Sequence, residues 1–383
     1  MTNAQKIYLD YQATCPLDER VFAVMSKHFK GPAANPHSAE HSFGWQAAKT
    51  VLDAQEQVGA LIGADADEII FTSGATEANN LALRGRDYAN CSKLVVSSID
   101  HKCVLETARS IELERGVEIA RLDVDEIGVV RLDQLKEFVD KETALVSVIG
   151  VNNEIGTIQP LEKISEIVRA AGAKLHLDLA QAPMAIDLSG LADLADSISL
   201  SAHKFYGPMG IGCLYIARND QLNFRPQITG GGQQGGLRSG TVPVALAAGM
   251  GKAAELILSQ PQERGIIRRL NKELWAKLQA LPFHVELNGP SLEARHPSNL
   301  NVSFLGYDGR DIIGSVQPAL AISSGAACTT GVPESSYVLS RIGLSEERLR
   351  GAIRISIGRY TTQSEIEIAA NYLCGALKRL KAD

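Results

Sequence analysis

The chain of 383 residues carries 38 basic and 44 acidic side chains, has a formal net charge of −6 and is 45% hydrophobic. With no long block of one sign, this is an ordinary soluble surface that argues against nucleic acid as a direct partner, and the apolar runs are too short and too charged to span a membrane. The length predicts a large core split into two unequal domains, and the opening residues lack the apolar stretch of a secretory signal, so the expected location is cytoplasmic.

Residues 7–11 read as a short strand or extended arm, ended by the Cys15-Pro16 turn. Residues 18–29 predict a helix, 31–38 a breaker-rich loop of the kind that faces ligands, and 42–62 a second helix. Strands and helices then alternate, with strands at 68–72, 94–97, 145–150, 174–178, 196–201 and 213–216 and helices at 104–115 and 164–171. Continuous apolar strands separated by helices predict a mostly parallel sheet covered on both faces. After Thr241 the pattern becomes one long helical stretch over 244–281. Spaced strands at 301–304 and 353–356 and an amphipathic helix over 365–381 follow, which predicts a small α+β domain.

Lys204 sits in Ser201-Ala202-His203-Lys204, at the mouth of an apolar, serine-rich strand and ahead of Gly207, Gly210 and Gly212. A lysine there suits either a surface position or a Schiff base to an aldehyde cofactor. Ser73-Gly74-Ala75-Thr76-Glu77 follows a strand and opens a helix, which suits a phosphate or a capping box. Asp178 ends an apolar strand, where open α/β sheets place ligands; it suits pairing with a pyridine nitrogen or an N-cap. Gln181 is placed to reach a ring oxygen.

His101, in Asp100-His101-Lys102-Cys103, can stack on a planar cofactor and shuttle protons. Its side chain and that of Cys103 are expected to point different ways and two further ligands are lacking, which argues against zinc. The six cysteines are scattered, without a Cys-x-x-Cys, so most are expected to be small core residues. Cys328 differs: it lies in Ser324-Gly325-Ala326-Ala327-Cys328, a small-residue segment that suits a nucleophile able to travel. The glycine-dense run 230–241, ending in Arg238 and Thr241, suits a loop facing a ligand or a subunit. Arg354 stands in an otherwise apolar strand and needs a carboxylate, from a substrate or from the protein itself.

These motifs, with Tyr8-Leu9-Asp10-Tyr11, Thr72–Asn80, Val151-Asn152-Asn153-Glu154-Ile155-Gly156, Arg238-Ser239-Gly240-Thr241 and Arg354–Arg359, resemble those of group I cysteine desulfurases. These are the NifS/IscS-like branch of the fold-type I pyridoxal-phosphate enzymes, or class V aminotransferases. The resemblance implies an α/β fold with a seven-stranded, mostly parallel sheet in a large domain (15–257), and a small α+β domain (1–14 and 258–383). It implies a homodimer that converts L-cysteine to L-alanine and carries the sulfur as a persulfide on Cys328 to an acceptor protein, for iron–sulfur cluster assembly or another thio-modification. Lys204 would hold pyridoxal 5′-phosphate, Asp178 would pair with its ring nitrogen, and Gln181 and Asn153 would contact its phenolic side. His101 would stack on the ring and handle thiol protons. The turn at Ala75 and Thr76, with Ser201 and His203, would bind the phosphate, and Thr241 would come from the second subunit. Arg354, helped by Asn35 and Asn153, would hold the substrate carboxylate. The chain departs from the family at Gln234-Gly235, at residues 219–223 where a basic segment is usual, and in a short tail after Lys381; these bear on the acceptor. The alternatives are a selenocysteine lyase or aminotransferase on the same fold, and a non-catalytic partner-binding scaffold.

Overall fold

The computed structural model describes residues 6–89, 91–324 and 336–382. Its strands are β1 (Ile7–Tyr8), β2 (Ile69–Thr72), β3 (Lys93–Ser97), β4 (Glu118–Leu122), β5 (Thr143–Ile149), β6 (Lys174–Asp178), β7 (Ser197–Ser201) and β8 (Gly212–Ile216). They continue with β9 (Val285–Leu287), β10 (Asn299–Phe304), β11 (Leu320–Ala321) and β12 (Ala352–Ser356). Seven form one sheet in the order β2-β8-β7-β6-β5-β3-β4. Strands β3 to β7 are paired parallel, and β8 alone runs antiparallel to its neighbours β2 and β7. This is the predicted α/β fold with its mostly parallel seven-stranded sheet.

Burial explains which strands were legible. β5, β7 and β8 are buried along their whole length, so they read as uninterrupted apolar or serine-containing runs. Edge strand β4 is largely half-exposed and carries no such run, and the sequence pattern did not show it. The helical stretch expected over 244–281 is two helices, Val244–Ser259 and Glu263–Gln279. Pro261 lies between them; it lacks an N–H and its ring clashes with the preceding turn, so the helix cannot run through. Asp18, expected inside the first helix, is instead its N-cap and accepts from Arg20 N.

The remaining strands form a three-stranded antiparallel sheet, β12-β10-β9, and a parallel pair, β1-β11. The segment after β1 continues along β12, where Asp10 bridges Ser356 and Gln12 N donates to Ser356 Oγ at 3.0 Å. Gly358 permits this approach, since a Cβ there would stand 2.0 Å from the Tyr11 ring. Gly358→Ala is therefore expected to destabilise the fold by about 1–3 kcal/mol through overpacking, read as a lower denaturant midpoint. An unchanged midpoint would show that Tyr11 yields freely.

Candidate active site

The C-terminal ends of the parallel strands converge on one cavity of about 550 Å³. Asp178 ends β6, Ser201 ends β7 and His203 and Lys204 follow it, His101 and Cys103 follow β3, Asn153 follows β5, and Gly74 to Thr76 follow β2. Arg354 enters from β12 and Gln12 from the segment after β1. Residues separated by more than 300 positions in the chain thus share one wall, as the ends of an open α/β sheet allow.

Lys204 Nζ donates to the carbonyls of Gln12 (2.9 Å) and Ala13 (2.8 Å). The Gln12 carbonyl also accepts from Gln181 Nε2 at 2.9 Å, so the N-terminal segment holds both side chains at the cavity. Asp178 is buried; its Oδ2 accepts from Asn79 Nδ2 at 2.8 Å and its Oδ1 from Ala180 N at 3.0 Å. No helix begins at Asp178, so the N-cap alternative is not realised. His101 caps the helix Lys102–Arg115, and its Nδ1 accepts from Cys103 N. That fold-back brings His101 Nδ1 within 3.1 Å of Cys103 Sγ. The expectation that the two side chains diverge is corrected here: the cap geometry, absent from residue spacing, turns the imidazole toward the first turn.

The helix Ala75–Arg84 starts at Gly74, which has φ of +155° and offers no side-chain cap. Only half of the possible capping box forms, as Glu77 Oε2 accepts from Ser73 N at 2.7 Å, and the N–H groups of the first turn are left for an anion. Glycine is required opposite as well, because a Cβ at Gly212 would meet the Gly74 backbone at 2.8 Å. Ser201 and His203 complete this corner. Burial, and then the adjacent Lys204 charge, push His203 down to about 4, so it serves as a neutral hydrogen-bonding group, and its Nδ1 lies 3.1 Å from Thr14 Oγ1.

Arg354 is 3% exposed and realises the protein-carboxylate alternative, an ion pair with Asp10, at the wall of the cavity. Its Nη2 donates to Asp10 at 2.8 Å and its Nη1 to the Asn153 carbonyl at 2.8 Å, yet it lines the cavity with its Nε unpaired. Ten of the thirteen site residues read from the sequence line this cavity: Ala75, Thr76, His101, Asn153, Asp178, Gln181, Ser201, His203, Lys204 and Arg354. Asn35 does not; it is exposed, and its side chain accepts from His37 N within its own loop. Thr241 is also exposed and outside the cavity of its own chain. Cys328 lies outside the described residues.

Sequence reasoning did not single out Gln12, Asn79, His176, Cys103 as a cavity group, or Asp10. His176 had a usable signal, since it is two residues before Asp178 and so shares a strand face with it. At the glycine-dense run, Gln234 accepts from Phe71 N (2.7 Å) and donates to Phe71 O (3.0 Å), satisfying both groups on edge strand β2. A carboxylate there could only accept. Arg238 is paired with Glu77 at 2.8 Å.

A phosphorylated pyridine aldehyde fits these residues. Gln12 Nε2, Asn153 Oδ1 and Arg354 Nε are buried polar atoms without a partner, and all three belong to residues of the cavity. The same cavity holds a primary amine, a buried carboxylate and an uncapped helix start, the three groups needed for an aldehyde, a pyridine nitrogen and a phosphate.

Comparison with known proteins gives the same answer. The family model for class V aminotransferases matches residues 7–368. A cysteine desulfurase IscS from Rickettsia akari is 44% identical over 379 residues, covering 98% of this chain and 92% of that protein. A solved NifS-like protein is 33% identical, with a TM-score of 0.90 over 98% of this chain and 100% of its own. A structure of SspA in complex with cysteine is 33% identical, with a TM-score of 0.80 over 93% of this chain and 99% of that one. The chain therefore belongs to the class V aminotransferase family, pyridoxal-phosphate enzymes, in its cysteine desulfurase branch.

Proposed function

We propose that this cysteine desulfurase holds pyridoxal phosphate on Lys204, binds L-cysteine through Arg354 and passes its sulfur to Cys328 as a persulfide for an acceptor protein. The observation that carries the reading is the presence of the Lys204 amine, the Asp178 carboxylate and the Arg354 guanidinium in one cavity beside an uncapped helix start. When bound, the cofactor supplies an electron sink that loosens bonds on the substrate carbons nearest its aldehyde. Asp178 holds the proton of the ring nitrogen, and Lys204 moves the proton of the substrate α-carbon. Ala75, Thr76, Ser201 and His203 bind the phosphate, while Gln181 and Asn153 contact the phenolic edge. His101 handles the thiol proton. The net change balances: cysteine and the Cys328 thiol become alanine and a Cys328 persulfide.

The anchoring of Ser323 supports the role of Cys328. Ser323 pairs with Arg354 through both backbone groups, Ser323 N to Arg354 O at 3.1 Å and Arg354 N to Ser323 O at 2.7 Å. That pairing anchors Ser323, five positions before Cys328 in the sequence, beside Arg354 of the cavity. Ser336 and Tyr337 hold the far end of that segment, through Glu154 Oε2 (2.5 Å) and the Asp100 carbonyl (2.7 Å). Thr241 is assigned to the site of a second subunit in a homodimer, and within one chain Arg354, without Asn35, is assigned the carboxylate.

Two results test this. Incubation with L-cysteine is expected to add one sulfur atom to the Cys328 peptide by mass spectrometry, and Cys328→Ser should yield no alanine; a variant with full alanine output would overturn the persulfide route. Arg354→Lys keeps a charge for Asp10 but loses the planar fork. It is expected to raise KM for cysteine about 10- to 100-fold, as a lost charge-assisted contact of about 1.5–3 kcal/mol requires. An unchanged KM would remove Arg354 from substrate binding.

A further inference from the structure

We infer that Asn79 is a positioning residue, the branch point of one directed hydrogen-bond chain that orients Asp178 and, through the Cys103 thiol, supports the tautomer of His101. The inference rests on the reading that these two groups serve the cofactor, but the chain itself follows from donor and acceptor counting. A carboxylate only accepts, so the Asn79 amide nitrogen faces Asp178 Oδ2, at 2.8 Å. The Asn79 carbonyl oxygen then faces His176 Nε2 at 2.9 Å, and since it has no hydrogen to give, the proton is on His176 Nε2. His176 Nδ1 is thereby bare and accepts the hydroxyl of Ser197, 2.9 Å away. Asn79, His176 and Ser197 are all 0% exposed, so no bulk water stands in for any of these partners. Burial foremost pushes the His176 imidazole down to about 4, which keeps it neutral with a single ring proton.

The second branch starts from the same amide. Asn79 Nδ2 also donates to Cys103 Sγ at 3.3 Å. Cys103 N donates to His101 Nδ1 at 3.2 Å, which marks that nitrogen as an acceptor, and the Cys103 S–H, at 3.1 Å, points to it too. The His101 proton is accordingly on Nε2. Ser197, His176 and Asn79 thus donate in one direction, ending on Asp178 along one branch and on His101, through Cys103, along the other. In this arrangement His101 offers an N–H at Nε2 and is a donor before it is an acceptor. Cys103 holds it so through its backbone N–H, with the S–H of the relay as the second donor.

The test is imidazole NMR on the full chain labelled with 15N-histidine, with and without added pyridoxal phosphate. His101→Gln and His176→Gln spectra assign the two signals. The expected result is the Nε2–H tautomer for both histidines at neutral pH. Cys103→Ala, which keeps the backbone N–H but loses the S–H, should shift the His101 Nδ1 resonance while leaving His176 unchanged, and Cys103→Ser, which can still donate and accept, should restore it. Asn79→Leu should perturb both histidines and lower kcat about 10- to 100-fold, with KM for cysteine moving much less. An Nδ1–H tautomer at either histidine, or a Cys103→Ala spectrum identical to the parent, would overturn the chain even if Asn79→Leu failed to fold. Failure of Lys204 to take up the cofactor would sink the functional reading and leave these tautomers standing.

Discussion

Lys204→Ala is expected to abolish turnover of L-cysteine, by about 10⁴-fold or more, while the protein still folds. The amine is held by two backbone carbonyls, those of Gln12 and Ala13, at the edge of a cavity of about 550 Å³. Water can take over both carbonyls when the side chain is removed, so the structural cost is small. The chemical cost is not, because no other lysine lines that cavity among the described residues. The measurement is alanine formation, together with visible absorption retained after gel filtration of the protein loaded with pyridoxal phosphate. Lys204→Arg is the control: it keeps the charge but cannot attach an aldehyde, and it should fail in the same way. Turnover within tenfold of the parent in either variant would mean the amine is not the attachment point.

Asp178→Asn is expected to lower kcat about 100- to 1000-fold while leaving the cofactor on Lys204. The substitution is isosteric, and its single amide oxygen can keep one of the two native bonds, from Asn79 Nδ2 (to Oδ2) or from Ala180 N (to Oδ1), but not both. What is lost is the negative charge that holds a proton on the ring nitrogen. In a water-poor site that charge has few competitors, so its removal weighs heavily on the rate. The check is a steady-state comparison with cofactor content measured on the same sample. A normal kcat at full occupancy would remove Asp178 from the chemistry, whereas a protein that no longer retains cofactor would give it a binding role only.

Much of the site was legible because α/β sheets collect ligand-facing residues at strand ends. Ser201 to Lys204, Asp178 and the Gly74 turn each end or follow a buried strand, and the structure gathers them in one place. The illegible part is made of contacts between distant positions. Asn79 reads only as one of several polar residues in the helix Ala75–Arg84 until Asp178, 99 positions later, is folded against it. Gln12 gains its role from a backbone that pairs with Ser356, 344 positions away. Cys103 misled for a local reason, since the His101 cap reverses the direction that helix spacing alone implies. Asn35 misled in the opposite sense: its breaker-rich loop has the composition of a ligand-facing segment, but its side chain is spent on His37 N. The Pro261 break was readable from residue type and needed only more weight than the apolar spacing around it.

The most direct test is borohydride trapping, which fixes an aldehyde to whichever amine holds it. The full chain is loaded with pyridoxal phosphate, reduced, digested and mapped by mass spectrometry. The label is expected on Lys204 and to vanish when L-cysteine is supplied in excess before reduction. Label on another lysine, or label on Lys204 that cysteine cannot displace, would contradict the site described.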